Sequence, residues 1–157
     1  MSPMRDRVRA ILITDDGHLL TIKRIKPGQT PYWVLPGGGI EADDVSLEAA
    51  LHRELREELA GEAAIHALVH ILVTTRGREH FFLARIQQWN FANRTGPEFA
   101  ETGRGQYVLQ PIPLTTEGIG SITLQPPQIA DFLHSCLAQA GDLFALPDLR
   151  TATARSL

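Results

Sequence analysis

The sequence predicts a mixed α/β sandwich, and three features carry that expectation. Two apolar runs, residues 8–14 and 19–25, flank Asp15-Asp16-Gly17, a turn that closes an antiparallel pair because glycine tolerates positive φ. A glycine run, Gly37-Gly38-Gly39, leads into a segment whose apolar residues recur at helical spacing. A second strand pair and a second amphipathic helix then follow, so strands and helices alternate in blocks.

Taken in order, Pro27-Gly28-Gln29-Thr30-Pro31 interrupts the first pair, and residues 32–35 resume as a short strand running into Pro36. The glycines after it read as a loop. From Ser46 to Leu59, the residues Leu47, Ala50, Leu51, Leu55 and Leu59 form one stripe, with Ser46 or Asp44 suited to cap the helix and Gly61 suited to end it. Residues 64–75 and 79–88 read as a second hairpin around Arg76-Gly77-Arg78, and residues 89–106 as a long polar loop of the kind that often serves function. Residues 107–114 read as a further strand. After Pro126-Pro127, the residues Ile129, Phe132, Leu133 and Leu137 mark the second helix. One domain over residues 1–140 is expected, with residues 141–157 as a tail, patternless and partly disordered.

A chain of 157 residues can bury a hydrophobic core without disulfides, and 43% hydrophobic with 21% charged residues is the balance of an ordinary soluble domain. The net charge of −3 provides no general attraction for nucleic acid or an acidic membrane surface, so any phosphate must be met by local groups. The apolar stretch after Arg5, Arg7 and Arg9 is too short for a signal peptide, and no run is long enough to span a bilayer. The single Cys136 sits among Phe132, Leu133 and Leu137 and reads as a buried, inert thiol. A cytoplasmic location is the expectation.

The chemistry lies on the first helix. At roughly 100° per residue, Glu54, Glu57 and Glu58 fall within about 100° of one another, beside the leucine stripe. Like charges three and four residues apart cost an isolated helix a few tenths of a kcal/mol per pair, so the arrangement asks for a cation. Hard Mg²⁺ prefers oxygen and binds through a few carboxylates together with substrate phosphates. Taken alone, Arg53-Glu54-Leu55-Arg56-Glu57-Glu58-Leu59 also reads as an ordinary solvated helix face. The glycine loop just upstream shifts the balance, because glycines let backbone groups approach a metal or a phosphate closely.

These residues resemble the Nudix hydrolase (MutT-like) family, whose signature is Gly, five residues, Glu, seven residues, Arg-Glu, an aliphatic, any residue, Glu-Glu, any residue, Gly and an aliphatic. Arg53-Glu54-Leu55-Arg56-Glu57-Glu58-Leu59 matches its core, and Trp33-Val34-Leu35-Pro36-Gly37-Gly38 its lead-in. Two departures stand out: Asp44 or Val45, depending on alignment, replaces the first glutamate, and Ala60 replaces the last glycine, with Gly61 one place later. The resemblance implies the Nudix fold, an α/β/α sandwich around a mixed β-sheet. It implies a metal-dependent pyrophosphohydrolase that cleaves a phosphoanhydride bond of a nucleoside triphosphate, or of a nucleoside diphosphate linked to another moiety, by attack of metal-activated water. Glu54, Glu57 and Glu58 would hold Mg²⁺ or Mn²⁺ with the Gly38 or Gly39 carbonyl, and Arg53 would orient the carboxylates. The general base is Glu54, Glu98 or Glu101, each of the last two reading more readily as a solvated loop carboxylate.

Arg24 is a candidate phosphate contact by charge and position, near Lys23 and Lys26, and equally a surface cation. Trp33 can stack on a base or pack beside Val34 and Leu35. Of the six histidines, His66 and His70 are four apart, but on a strand, where ordinary packing is the better reading. Two other functions compete: a catalytically weak Nudix-fold module that binds a nucleotide, and an isoprenoid-diphosphate isomerase, disfavoured because Cys136 lies on the last helix. Exposed strand edges leave monomer and homodimer both open.

Overall fold

A computed structural model describes residues 6–90, 105–139 and 142–151 of the chain. Eight strands form one mixed sheet: β1 (Arg7–Ile13), β2 (His18–Ile25), β3 (Tyr32–Val34), β4 (Gly37–Gly39), β5 (Glu62–Thr74), β6 (Gly77–Gln88), β7 (Gln106–Pro113) and β8 (Leu124–Gln125). Helix α1 (Leu47–Leu59) covers one face, while α2 (Thr116–Gly120) and α3 (Pro127–Gln139) cover the other, which is the α/β/α sandwich expected. Among the described residues, no helix is long and apolar enough to cross a membrane.

The strand β1 is buried on both faces, which is why its sequence reads as a nearly continuous apolar run. Val8, Ala10 and Leu12 pack toward α1 with Leu51, Leu55 and Leu59, whereas Ile11 and Ile13 pack toward α3 with Ile129 and Leu133. The first turn does make an antiparallel pair, yet β1 and β2 meet only at Ile13 and Leu19 before diverging. Two short strands fill the gap. The strand β4 pairs with Arg7–Arg9 of β1, and β3 pairs with Ile22–Arg24 of β2. On its outer edge β1 runs parallel to β6 from Arg7 to Ile13, and β2 pairs antiparallel with β7 along its length.

The glycine run is therefore a strand rather than a loop. Its ladder is made by backbone groups alone, and a sequence without side chains has no alternation to show. Short α2 and β8 are too brief to leave a periodic signal. The end of α1 also differs from expectation. Ser46 caps its start, accepting from the Ala49 amide at 3.0 Å, but Ala60 adopts the left-handed conformation that ends the helix (φ 48°). Gly61 instead packs where a Cβ would come 3.0 Å from the Ile86 side chain.

Residues 142–151, expected to be part of a patternless, partly disordered tail, pack as a strap. Leu143 is buried in the α3-side core and Leu149 lies against the α1-side core. The Asp148 carboxylate accepts from the Leu68 amide at 3.1 Å and from Arg150 at 2.8 Å, and Arg150 donates on to Glu48 of α1 at 3.1 Å. The strap thus clips α1 to β5.

Hydrogen bonds from Arg150 hold the Asp148 carboxyl down to about 2, against an ordinary 3.8. A carboxylate depressed in the folded state contributes stability above its unfolded value, and that contribution fades as pH falls toward the folded one. Asp148→Asn should therefore lower the unfolding free energy by about 1–3 kcal/mol at neutral pH. Urea titrations at several acidities should show the gap to the wild type narrowing below about pH 4. A gap that stays constant into acid would contradict the assignment.

Candidate active site

The signature helix and the glycine strand meet at Arg53. Its guanidinium, 17% exposed, donates to both oxygens of Asp44 (3.0 and 2.9 Å), to the Gly39 carbonyl (3.0 Å), to Glu54 (3.0 Å) and to Glu57 (3.3 Å). Glu41 lies 3.5 Å away. Helical spacing puts Glu57 one turn beyond Arg53, while Glu54 is its neighbour, so one fork reaches both. Asp44 also accepts from the Glu41 amide at 2.8 Å, which fixes the turn ahead of the helix. The Arg53 hydrogen bonds hold the Asp44 carboxyl below the usual carboxylate range and push the guanidinium pKa up.

The two residues that alignment can set opposite the signature's first glutamate differ in their surroundings: Asp44 is bonded to Arg53, whereas Val45 is 92% exposed. The turn brings residue 44 close to the helix.

Glu58 is buried at 7% exposure, and its carboxylate accepts from the Gly37 amide at 2.9 Å. Gly37 has φ 146°, and a Cβ there would sit 2.0 Å from the Val8 carbonyl oxygen. At Gly38 a Cβ would meet the Glu54 carboxylate at 2.6 Å. Glu54 thus lies directly over the Gly38 backbone, a contact only glycine permits. The ladder bonds from Ile40 to Asp6 and from Ala10 to Pro36 bracket Val8 and Gly38, so by antiparallel alternation the Gly38 carbonyl faces β1. With the Gly39 carbonyl held by Arg53, both loop carbonyls named from the sequence already have partners.

Arg24 reaches the site. It lies on β2 opposite Tyr32 and Tyr107, its guanidinium 3.8 Å from the centre of the Tyr107 ring. With both tyrosines, Val34, Gly37 and Glu58 it lines a cavity of about 340 Å³. Alternation along β2 sends Lys23 the other way, 5.2 Å over the Trp33 ring. Trp33 packs against the α3-side core and donates to Gln110 at 3.1 Å, so of its two readings the structure shows packing.

Glu98 and Glu101 lie outside the described residues. His66 contacts the Phe144 carbonyl at 3.2 Å and His70 stacks on Phe132 at 4.3 Å, both as packing residues. Cys136 packs with the α3-side core, where burial pushes its thiol pKa up, across the sheet from the α1 carboxylates.

Three site residues escaped the sequence reading. Tyr32 and Tyr107 join the cavity because both pair with Arg24, a register that composition cannot show. Arg9, which also lines the cavity, donates to the Leu35 and Gly37 carbonyls at 3.2 Å and to Glu79 at 3.2 Å, bracing the glycine strand.

With this geometry in view, the family model for the NUDIX domain matches residues 3–105. The chain belongs to the NUDIX family. No curated protein matches it. Among solved structures, the E. coli ORF135 protein is 26% identical, with 88% of this chain and 95% of that one covered at a TM-score of 0.57. An ADP-ribose pyrophosphatase from Streptococcus suis is 18% identical, covering 90% of this chain and 95% of that one, TM-score 0.60. A MutT protein from Methanosarcina mazei is 20% identical, covering 85% and 93%, TM-score 0.54. The last two show the shared Nudix fold. Nudix enzymes are hydrolases of phosphorus-containing anhydrides that generally use divalent metals.

The donor chemistry of the site fits such a metal. One guanidinium faces four carboxylates, of Glu41, Asp44, Glu54 and Glu57, and Glu58 stands beside them, so the cluster carries excess negative charge. Among the described residues, these side chains are not drawn together around a single point: Glu54 and Glu57 lean on Arg53, and Glu58 on Gly37.

Adjacent glycines should respond differently to the same change. Gly37→Ala forces a Cβ into backbone and should cost about 2–4 kcal/mol of stability. Gly38→Ala displaces only the far end of Glu54 and should leave the thermal midpoint within a few degrees while activity falls sharply. Thermal melts alongside assays separate the two; equal destabilisation would refute the distinction.

Proposed function

We propose that the chain is a divalent-metal-dependent pyrophosphohydrolase whose substrate is a nucleoside triphosphate, or a nucleoside diphosphate linked to another moiety. The observation that carries this is the Arg53 cluster, where carboxylates outnumber cations beside a cavity holding Arg24 and two tyrosines. Glu54, Glu57 and Glu58 would hold Mg²⁺ or Mn²⁺. When bound, the ion would neutralise diphosphate oxygens and lower the pKa of a water molecule.

The chain's own residues supply the rest. Arg53 restrains Glu54 and Glu57, so that little ordering is left to occur during reaction. The Gly37 amide fixes Glu58 at the cavity wall. Arg24, supported by the face of Tyr107, meets phosphate oxygens with a planar, permanently charged fork. Tyr32 and Tyr107 provide apolar faces for the nucleoside. Glu54, poised over Gly38, is the described candidate to accept the proton of the attacking water. Attack at phosphorus and departure of the second phosphate need no covalent intermediate.

The binding-module alternative drew on the missing first glutamate. Both oxygens of Asp44 accept from Arg53, a contact that supports the hydrolase reading over that alternative.

Hydrolysis should be measured over nucleoside triphosphates, nucleotide sugars, ADP-ribose and dinucleoside polyphosphates with Mg²⁺ or Mn²⁺. Glu54→Gln and Glu57→Gln should each lower kcat by about a hundredfold or more, and chelation should abolish turnover. Saturable binding with no cleavage of any compound would instead establish a binding module.

A further inference from the structure

A second cleft, of about 450 Å³, adjoins the catalytic cavity. Its walls carry Arg7 and Arg9 of β1 together with Arg76 and Arg78 at the β5–β6 turn. Arg9 and Val34 line both spaces, so the two share a wall.

The charges here do not cancel. Arg9 pairs with Glu79 at 3.2 Å and Arg78 with Asp6 at 3.3 Å. Arg7 and Arg76 are exposed, and neither guanidinium forms an ion pair among the described residues. Two guanidinium charges are therefore in excess on one cleft of a chain whose net charge is −3. A solvated hairpin face would account for Arg76 and Arg78 alone. It does not account for Arg7, which reaches the same cleft from a strand distant in sequence, set beside Glu79 by the parallel register of β1 and β6. Guanidinium groups lining one cleft repel one another unless an anion lies between them, and their planar forks match phosphate oxygens two at a time.

We propose that this arginine-lined cleft receives a phosphoryl group carried by the substrate away from the scissile anhydride. The preferred substrate then bears a further phosphorylated centre beyond that bond. This deepens the hydrolase reading and rests on it, because the shared wall matters only if the anhydride lies beside Glu58.

The test uses matched pairs that differ by one ribose phosphate: NADPH against NADH, and coenzyme A against its 3′-dephospho form. Affinity is read by calorimetry on Glu57→Gln protein with Mg²⁺, so that turnover does not interfere. In at least one pair the phosphorylated member should bind about tenfold more tightly. Adding Arg7→Gln and Arg76→Gln, with folding checked by thermal melt, should bring that ratio close to one. Equal affinities in both pairs, no binding of any member, or a ratio indifferent to the arginine changes would overturn the inference. Turnover of the unphosphorylated members by wild-type protein is scored separately, and its absence counts against the hydrolase reading instead.

Discussion

The guanidinium of Arg53 stands between two parts of the chain that have no other reason to keep a fixed relation. On one side it grips Asp44 with two hydrogen bonds and the Gly39 carbonyl with a third; on the other it holds Glu54 and Glu57. Partial burial of the group, at 17% exposure, makes these charged contacts stronger than they would be in open water. One cation nevertheless leaves the surrounding carboxylates in excess, so the network that orders the site also leaves it needing further positive charge.

The sheet prepares the place where this happens. Because β1 and β2 part after Ile13 and Leu19, a wedge opens that β3 and β4 fill. The wedge brings Gly37 beneath Glu58 and Gly38 beneath Glu54, and it turns Arg24 toward the same cavity. On the opposite side of α1, the strap through Asp148 and Arg150 holds the helix's first turn at Glu48. Helix α1 is thus restrained at its start by the strap and along its charged face by the glycine strand.

Much of this was legible in the sequence. The leucine stripe, the Ser46 cap and the clustered glutamates depend on spacing along one helix, a local property that residue order reports directly. Glu54, Glu57 and Glu58 could be singled out for the same reason, and Arg53 through the resemblance of its motif to the Nudix signature. What depends on pairing between distant segments could not be read: the register that sets Tyr107 beside Arg24, the support Arg9 gives to Gly37, and the β4 ladder, whose glycines show no alternation. The strap was missed because Leu143 and Leu149 are too far apart, and too few, to form a periodic pattern, although both reach apolar cores. The choice between Asp44 and Val45 was a question of geometry that counting residues left open.

The proposed hydrolysis requires that the carboxylates around Arg53 form a divalent-cation site acting on a diphosphate. Its most direct test is a crystal structure with Mn²⁺ and a non-hydrolysable nucleotide diphosphate analogue, with the metal located by anomalous scattering. Manganese should be bound by Glu54, Glu57 and Glu58, with the bridging phosphates turned toward Arg24. Manganese held elsewhere, or a diphosphate bound in that cavity with the three glutamates still engaged only by Arg53 and Gly37, would contradict it.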